Sequence, residues 1–340
     1  MANRIYLDHA ATTPLRPQAL AAVQDGFARW ANPSSPHGEG RAAKIALEGA
    51  RDRVKAALCW TGEVIFTGGA SEALAVGLGR AKVDRQIASA VEHDAVFRAA
   101  PDATVVPLEP TALASELANP GKAVVAVQAV NSETGTDLRD SVGASVTGES
   151  GALWLADCSQ SAGKLPLPDC DMAVVSAHKL GGPVGIGALL VRDFALLEPV
   201  GGHERGYRAG TENLPAALGF AAALEAGGLE SWETTAQDRA AFHSAMQEMA
   251  QVQAFGAQCD YLFSIAHPTM SAQALLIRLD AMGFAVSAGS ACSSGTLKKS
   301  RVLGAFGVAD DVAARTVRVS MGWNTTPGEL ATFVGAWRDL

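Results

Sequence analysis

A lysine and an aspartate, each at the polar end of an apolar run, are the residues of this sequence with the clearest chemical potential. Lys179 closes the segment Val174-Val175-Ser176-Ala177-His178-Lys179, and Asp157 follows the apolar run 152–156. Either residue alone is more often a solvated lysine or a loop aspartate. As a pair they match the needs of pyridoxal phosphate, which requires a lysine for its aldehyde carbon and a carboxylate for its pyridine nitrogen.

Polar residues follow other apolar runs as well. Thr67-Gly68-Gly69-Ala70-Ser71-Glu72 lies between a predicted strand and a predicted helix, where backbone amides and the Ser71 hydroxyl favour a phosphate, although an ordinary N-capped turn looks the same. His93 is suited to stack on an aromatic cofactor or to move protons, but a lone histidine is usually structural. Asn131 is suited to donate to the phenolic oxygen of a cofactor, and its alternative role is to form a turn.

Two residues near the C-terminus suggest substrate chemistry. Arg318 interrupts the apolar pattern of Thr316-Val317-Arg318-Val319-Ser320, so it needs an anionic partner, either a substrate carboxylate or an internal acid. Cys292 lies in a loop of small residues, 287–295, with no apolar neighbours in sequence that would bury it. Most free cysteines are buried and inert, whereas a thiol on a mobile arm can act as a nucleophile.

The apolar runs also predict the fold that must position these residues. Short, nearly continuous apolar strands alternate with alanine-rich helical stretches, which is typical of an α/β fold with a mostly parallel sheet covered on both faces. Open sheets of this kind bind ligands outside the carboxyl ends of their strands. We expect a large cofactor-binding domain over residues 15–250. A smaller α+β domain is expected from residues 1–14 with 251–340, carrying the mobile cysteine loop.

Composition narrows the class of protein. The 340 residues are 48% hydrophobic and carry a net charge of −8, which argues against a nucleic-acid partner. Without an apolar run of about 18 residues, no membrane association is expected, and a cytoplasmic location is predicted. The five cysteines lack metal-ligand spacing, so neither a metal site nor a disulfide framework is indicated.

Taken together, these residues resemble the cysteine desulfurases, of the class V aminotransferase group among fold-type I pyridoxal phosphate enzymes. The likeness runs nearly from end to end. Its ordered motifs are Tyr6-Leu7-Asp8-His9-Ala10-Ala11-Thr12-Thr13-Pro14, Asn32-Pro33-Ser34-Ser35-Pro36-His37, Phe66-Thr67-Gly68-Gly69-Ala70-Ser71-Glu72, Glu92-His93, Val130-Asn131-Ser132-Glu133-Thr134-Gly135, Asp157-Cys158-Ser159-Gln160-Ser161-Ala162-Gly163-Lys164, Ser176-Ala177-His178-Lys179, Gly202-His203-Glu204-Arg205-Gly206-Tyr207-Arg208-Ala209-Gly210-Thr211, Gly289-Ser290-Ala291-Cys292-Ser293-Ser294-Gly295 and Val317-Arg318-Val319-Ser320.

The resemblance implies a role for each candidate residue. Lys179 binds the cofactor aldehyde, Asp157 pairs with the pyridine nitrogen, and His93 stacks on the ring. Arg318 takes the substrate carboxylate, and Asn131 is a second substrate contact. The remaining implied cofactor contacts are Gln160 and Asn131 at the ring oxygen, and Ala70, Ser71, Ser176 and His178 at the phosphate, with Thr211 reaching in from the second subunit of a homodimer.

The resemblance also implies a reaction, in which L-cysteine becomes L-alanine and its sulfur passes to Cys292 as a persulfide. The final acceptor is then a protein, either an iron-sulfur scaffold or another sulfur carrier. Help from His93 in lowering the pKa of Cys292 is a further hypothesis. Alternatives are a selenocysteine lyase or a class V aminotransferase, of which the aminotransferase has no need of Cys292. An alternative of another class is a non-catalytic sulfur-relay or assembly subunit.

Overall fold

The computed structural model describes residues 4–140, 151–289 and 299–340, which form two compact units. The large unit contains Pro14–Ala129 and Leu138–Gly228, and the small unit contains Met1–Thr13, Val130–Asp137 and Leu229–Leu340. The predicted domain boundaries therefore need two corrections: 130–137 and 229–250 belong to the small unit. Hydrogen bonds explain the first, since the Asp137 amide donates to the Ala257 carbonyl and the Cys259 amide to the Gly135 carbonyl.

The large unit is built on a seven-stranded sheet. Its strands are β2 (Glu63–Thr67), β3 (Arg85–Ser89), β4 (Thr104–Val106), β5 (Ala123–Ala126), β6 (Leu153–Asp157), β7 (Met172–Ser176) and β8 (Gly187–Val191). They lie in the order β2-β8-β7-β6-β5-β3-β4, and only β8 runs antiparallel to its neighbours among the described strands. The carboxyl ends of β2, β3, β5, β6 and β7 therefore lie along one edge of the sheet.

Helices cover this sheet and form a second layer of the large unit. They are α1 (Pro17–Arg29), α2 (Gly38–Ala57), α3 (Ala70–Gly79), α4 (Asp94–Ala99), α5 (Pro110–Leu117) and α6 (Leu214–Glu225). Helix α3 lies against β6 and β8 at Gly77, where an added Cβ would come within 2.5 Å of Leu155 Cδ1. The close packing of α3 on the sheet therefore requires glycine at position 77.

Burial along the strands accounts for their apolar sequence. All five residues of β6, β7 and β8 are buried, because helices cover both faces of the sheet. Helix α6 is also buried on nearly every side, and it packs against both α1 and α2. At Gly26 an added Cβ would lie 2.5 Å from Pro215 Cα, so α1 and α6 are in backbone contact.

The small unit combines short strands with five helices among its described residues. Its strands are β1 (Ile5–Tyr6), β9 (Gln251–Gln253), β10 (Leu262–Ala266), β11 (Phe284–Ala285) and β12 (Thr316–Ser320). Its helices are α7 (Ala236–Gln247), α8 (Ala272–Ala281), α9 (Arg301–Ala305), α10 (Asp310–Ala313) and α11 (Pro327–Arg338). The order β12-β10-β9 is antiparallel, and β1 pairs in parallel with β11.

Helix α7 explains the second correction to the predicted boundary. Its Phe242 packs against Phe263 of β10 and Phe333 of α11, so 229–250 contributes to the core of the small unit. Within the ranges that the structure describes, no helix is both long and apolar enough to span a bilayer. No group of three or more His, Cys, Asp or Glu side chains there is arranged to hold a metal ion.

Candidate cofactor and active site

The turn after β7 carries the predicted Schiff-base lysine. Strand β7 ends at Ser176, and a 3₁₀ turn over Ala177–Lys179 follows at the carboxyl edge of the sheet. Ser176 is buried, whereas His178 and Lys179 are half-buried. Burial lowers the pKa of His178, and the charge of Lys179 lowers it further. Lys179 is thus held beside the sheet edge instead of being a solvated surface lysine.

Asp157 ends the neighbouring strand β6. Its side chain is only 8% exposed, and its Oδ1 accepts a hydrogen bond of 2.9 Å from the Ser159 amide. The Asp157 carbonyl accepts from the Ala129 amide, which fixes the end of β6 beside the segment that follows β5. Gln160, three residues further on, is also buried. A buried carboxylate at this edge has the chemistry to pair with a protonated ring nitrogen.

His93 follows β3 and caps helix α4. Its Nδ1 accepts a hydrogen bond of 3.1 Å from the Ala95 amide, so the neutral imidazole carries its proton on Nε2. The His93 side chain is exposed at the sheet edge. Partial desolvation by the surrounding protein lowers the pKa of His93, and the charge of Lys179 lowers it further, whereas Asp157 opposes this effect. Lys179 and Asp157 therefore both lie within electrostatic reach of His93.

Helix α3 begins at the predicted phosphate position. Its N-cap, Gly69, has φ of 146°, a backbone conformation that favours glycine, and Ala70 and Ser71 form the first helical turn. Amides of a first turn have no acceptor within their own helix and are available to an anion. The Glu72 carboxylate accepts from the Gly68 amide and pairs with Arg208 at 3.2 Å, which stabilises the turn.

Thr211 lies in the loop before α6 and is exposed. The same loop is tied to β2 by Glu204, whose Oε2 accepts from the Phe66 amide at 2.9 Å and from Arg51 Nη1 at 2.7 Å. Both ion-pair partners are buried, with side-chain exposures of 3% for Arg51 and 1% for Glu204. The predictions assigned no role to this ion pair, although Glu204 lies in a quoted motif.

Asn131 and Arg318 belong to the small unit. Asn131 Oδ1 accepts from the Glu133 amide at 2.9 Å, from the Thr134 amide at 3.0 Å and from the Thr134 hydroxyl at 3.1 Å. This supports the turn-forming role that was its alternative, and the oxygen is the atom that the turn uses. A role for the Asn131 amide nitrogen toward a cofactor stays a prediction.

Arg318 lies on β12, is 8% exposed and forms an ion pair within the small unit. Its Nη2 donates to Asp8 Oδ1 at 2.9 Å and its Nη1 to the Ser132 carbonyl at 2.9 Å. The internal-acid alternative is therefore present in this structure. Its Nε–H is buried and has no hydrogen-bond acceptor among the described residues, so the guanidinium keeps donor capacity for a ligand.

Glu133 contacts one described residue on each side of Cys292 in the sequence. The Ser300 hydroxyl donates to Glu133 Oε2 at 2.5 Å, and a Cβ on Gly289 would collide with the same carboxylate. Cys292 itself lies outside the described residues. The four described cysteines are Cys59, which is exposed, and Cys158, Cys170 and Cys259, which are buried. Burial raises the pKa of Cys158 well above its usual value and that of Cys170 to about 12, as expected of inert thiols.

The geometry of the large unit fits pyridoxal phosphate. One sheet edge presents a lysine, a buried carboxylate, a neutral histidine and a helix start with free amides, which are the groups that an aldehyde, a pyridine nitrogen, an aromatic ring and a phosphate require. The individual roles of these residues stay predictions.

Comparison with known proteins identifies the family. Residues 5–333 match the family model described as aminotransferase class-V. The chain belongs to the class-V aminotransferase family. A cysteine desulfurase of Cereibacter sphaeroides is 34% identical over 365 residues, covering 96% of this chain and 93% of that protein. The cysteine desulfurase IscS of Dictyoglomus turgidum is 31% identical, covering 97% and 92% of the two chains.

Solved structures of this family have the same fold. The NifS-like protein of Rickettsia africae superposes with a TM-score of 0.86 at 25% identity, covering 99% of both chains. A structure titled SspA in complex with cysteine has a TM-score of 0.78 at 26% identity, covering 95% of this chain and all of the other. The predicted α/β fold with a mostly parallel sheet is confirmed.

Proposed function

We propose that this chain is a pyridoxal phosphate-dependent cysteine desulfurase, which converts L-cysteine to L-alanine and transfers the sulfur to Cys292. The observation that carries this proposal is the grouping of Lys179, Asp157 and His93 at one sheet edge of a class-V family member. Relatives that match nearly the whole chain are named cysteine desulfurases.

The large unit supplies the groups that would hold the cofactor. Lys179 holds the aldehyde carbon and Asp157 the pyridine nitrogen, while the first turn of α3 binds the phosphate through Ala70 and Ser71. Pyridoxal phosphate, when bound, supplies an electron sink that weakens the bond between the substrate Cα and its hydrogen. The other proposed contacts are Gln160 and Asn131 at the ring oxygen, Ser176 and His178 at the phosphate, and Thr211 from a second subunit.

Proton transfer is assigned to Lys179, and His93 is assigned a hydrogen bond. The Nζ of Lys179, as the free amine, would be the base that takes the Cα proton. Partial desolvation lowers the pKa of His93, which favours its neutral form, and its Nε2–H is the donor side of the ring. His93 therefore contributes a hydrogen bond from Nε2–H, and it does not contribute a positive charge.

Cys292 is assigned the sulfur step. Its thiolate attacks the substrate sulfur, so that an S–S bond forms as the bond between Cβ and sulfur breaks. Carbon keeps the electron pair and takes a proton, which gives the methyl group of L-alanine, and Cys292 is left as a persulfide. Arg318 binds the substrate carboxylate in this assignment. A protein acceptor, either an iron-sulfur scaffold or another carrier, then receives the sulfur.

We also propose a homodimer. Large apolar side chains of the large unit are exposed on α1, on α2 and after Lys179: Leu20 46%, Phe27 69%, Trp30 78%, Ile45 73% and Val184 75%. Exposed apolar groups of this size are typical of protein interfaces. Exposure of Thr211 is consistent with a role across such an interface. A cytoplasmic location stays a prediction.

The test of the activity uses purified protein with pyridoxal phosphate and a thiol reductant. The absorbance of the bound cofactor is recorded, and alanine and sulfide formed from L-cysteine are quantified. Cys292→Ala is expected to keep the absorbance and to lower both products about 100-fold or more, because the nucleophile is lost. Lys179→Ala is expected to lose the absorbance of the lysine-bound cofactor and the activity together.

Cys59→Ser is the matched control, since Cys59 is an exposed cysteine to which no role is assigned, and it should act like wild type. Turnover that does not depend on Cys292 would contradict the desulfurase assignment and favour a selenocysteine lyase or an aminotransferase. Wild-type protein that binds no cofactor would contradict the enzyme assignment and leave the sulfur-relay alternative.

A further inference from the structure

The small unit contains a partly buried ion pair at the arginine that the proposed function assigns to the substrate carboxylate. We propose that Asp8 is a positioning residue for this reaction, which fixes the Arg318 guanidinium in the orientation that receives the carboxylate of L-cysteine. The proposal rests on the proposed function, and it adds a residue for which composition and spacing predicted no role.

Strand register brings the two residues together. The Ser320 amide donates to the Leu7 carbonyl at 2.8 Å, and Asp8 forms a parallel bridge with Ser320. Arg318 precedes Ser320 by two positions on β12, so their side chains emerge on the same face of the strand. Backbone pairing between the Asp8 segment and β12 thus places Asp8 beside Arg318.

Two fixed acceptors define the orientation of the guanidinium. Asp8 Oδ1 accepts from Nη2 and the Ser132 carbonyl accepts from Nη1, each at 2.9 Å. Side-chain exposures are 10% for Arg318 and 20% for Asp8, which makes the pair substantially desolvated. Two acceptors on different terminal nitrogens set both the plane and the rotation of the group.

The hydrogen bonds leave the arginine with capacity for a ligand. A guanidinium has five N–H donors, and a carboxylate commonly binds two of them side by side. The Nε–H of Arg318 is buried with no acceptor in the part of the chain that the structure describes. An unpaired buried donor is costly, and a ligand carboxylate reaching Nε satisfies it.

Neighbouring groups hold Asp8 itself. The Tyr6 hydroxyl shares its one proton between the Thr12 carbonyl at 2.8 Å and the Asp8 carbonyl at 3.1 Å. The Ala11 amide donates to the same Asp8 carbonyl at 3.0 Å. These contacts fix the backbone of Asp8, so the position of its carboxylate is set before any substrate binds.

Asp8 acts through Arg318, because its own negative charge repels a substrate carboxylate. Without it, the long arginine side chain regains rotational freedom that substrate binding must then remove. The loss should therefore appear in substrate binding, while the chemical steps assigned to Lys179 and Cys292 continue at their normal rate.

The experiment is a double-mutant cycle on the holoenzyme with L-cysteine as substrate. Asp8→Ala is expected to raise KM about tenfold and to change kcat less than about twofold. In an Arg318→Ala background the same substitution is expected to add nothing further, because its effect passes through the arginine. Asp8→Asn keeps an oxygen acceptor for Nη2 and should restore KM to within about threefold of wild type.

Asp280→Ala is the matched control, since Asp280 forms an exposed ion pair with Arg4 in the same unit and should leave KM unchanged. An unchanged KM in Asp8→Ala would overturn the proposal, as would an equal effect in the Arg318→Ala background. If Asp8→Ala fails to fold, Asp8→Ser decides, because its hydroxyl is too short to reach Nη2; a KM raised about tenfold would support the proposal and an unchanged KM would overturn it. Failure of the wild type to make alanine would instead overturn the proposed function.

Discussion

His93 shows how a local backbone contact sets the chemistry of a single side chain. Capping of α4 occupies Nδ1, and partial desolvation together with the nearby Lys179 charge lowers the pKa of the exposed ring and favours its neutral form. A neutral ring does not lower the pKa of a thiol through its charge. Any help that His93 gives to Cys292 must therefore come from a hydrogen bond donated by Nε2–H.

Histidine burial also predicts how stability depends on pH. The pKa values of His93, His178, His243 and His267 are all lowered, with burial as the largest cause. The unfolded chain then binds protons more readily than the folded chain as the pH falls below about 6.5. We expect the free energy of unfolding, measured with urea, to be smaller at about pH 5 than at about pH 7.5.

A pair of variants separates this effect from general acid sensitivity. His243→Asn should reduce the loss of stability between the two pH values, because it removes one partly buried histidine whose pKa desolvation lowers. His37→Asn is the control, since His37 is exposed and asparagine also serves as a helix N-cap, as His37 does for α2. Equal pH dependence in wild type and His243→Asn would contradict the explanation.

The sequence was informative about individual residues where strand ends position them, and less so where partners are distant along the chain. Lys179 and Asp157 were predictable because each ends an apolar strand. Arg318 was predicted to need an anion, but spacing could not identify Asp8, which is 310 residues away. The roles of Glu133 and Glu204 were also missed, since an acidic residue within a polar motif carries no signal of burial.

Among the elements, the anchoring of the loop around Glu204 allows a test of stability. Glu204→Gln removes the charge that pairs with buried Arg51, and we expect the free energy of unfolding to fall by about 3–5 kcal/mol. Glu63→Gln is the control, because the Arg205–Glu63 pair is partly exposed, and its loss should cost about 1 kcal/mol or less. Urea unfolding of both variants measures the difference. Similar small losses in both would mean that the buried pair is dispensable.

Strands of the large unit were predicted well because burial on both faces gives them nearly continuous apolar sequence. The antiparallel direction of β8 was not predicted, since an apolar run has no direction. In the small unit, β9 and β10 were missed. Strand β9 has only three residues and begins with an exposed one, so its pattern does not differ from that of a loop.

For the whole molecule, the homodimer is the clearest prediction. Light scattering should give a mass of twice the 35.0 kDa of one chain. The double substitution of Phe27 and Trp30 by glutamate should shift the mass toward one chain, because charges would replace exposed apolar groups of the proposed interface. Ile277→Glu, at an exposed apolar residue of the small unit, should leave the mass unchanged. A wild-type mass of 35.0 kDa would contradict the proposal.

The two-unit division was only partly predictable from the sequence. A change in the sequence pattern near residue 251 predicted a domain boundary there. Helix α7 precedes that residue, yet it already belongs to the small unit. The segment Val130–Asp137 follows directly from the β5 region, so only its hydrogen bonds to residues 257 and 259 reveal where it belongs.

Pairing of β1 with β11 has a consequence for the order in which the chain can fold during synthesis. Ile5 and Asp8 are synthesised before their partners Phe284 and Ser320, which follow them by 279 and 312 positions along the chain (284 − 5 and 320 − 8). At a translation rate of about 5–20 residues per second, tens of seconds pass between the synthesis of β1 and the synthesis of its partners. The Asp8–Arg318 ion pair therefore forms only after β12 has been translated, and a nascent chain that stalls before β12 lacks the arginine that pairs with Asp8.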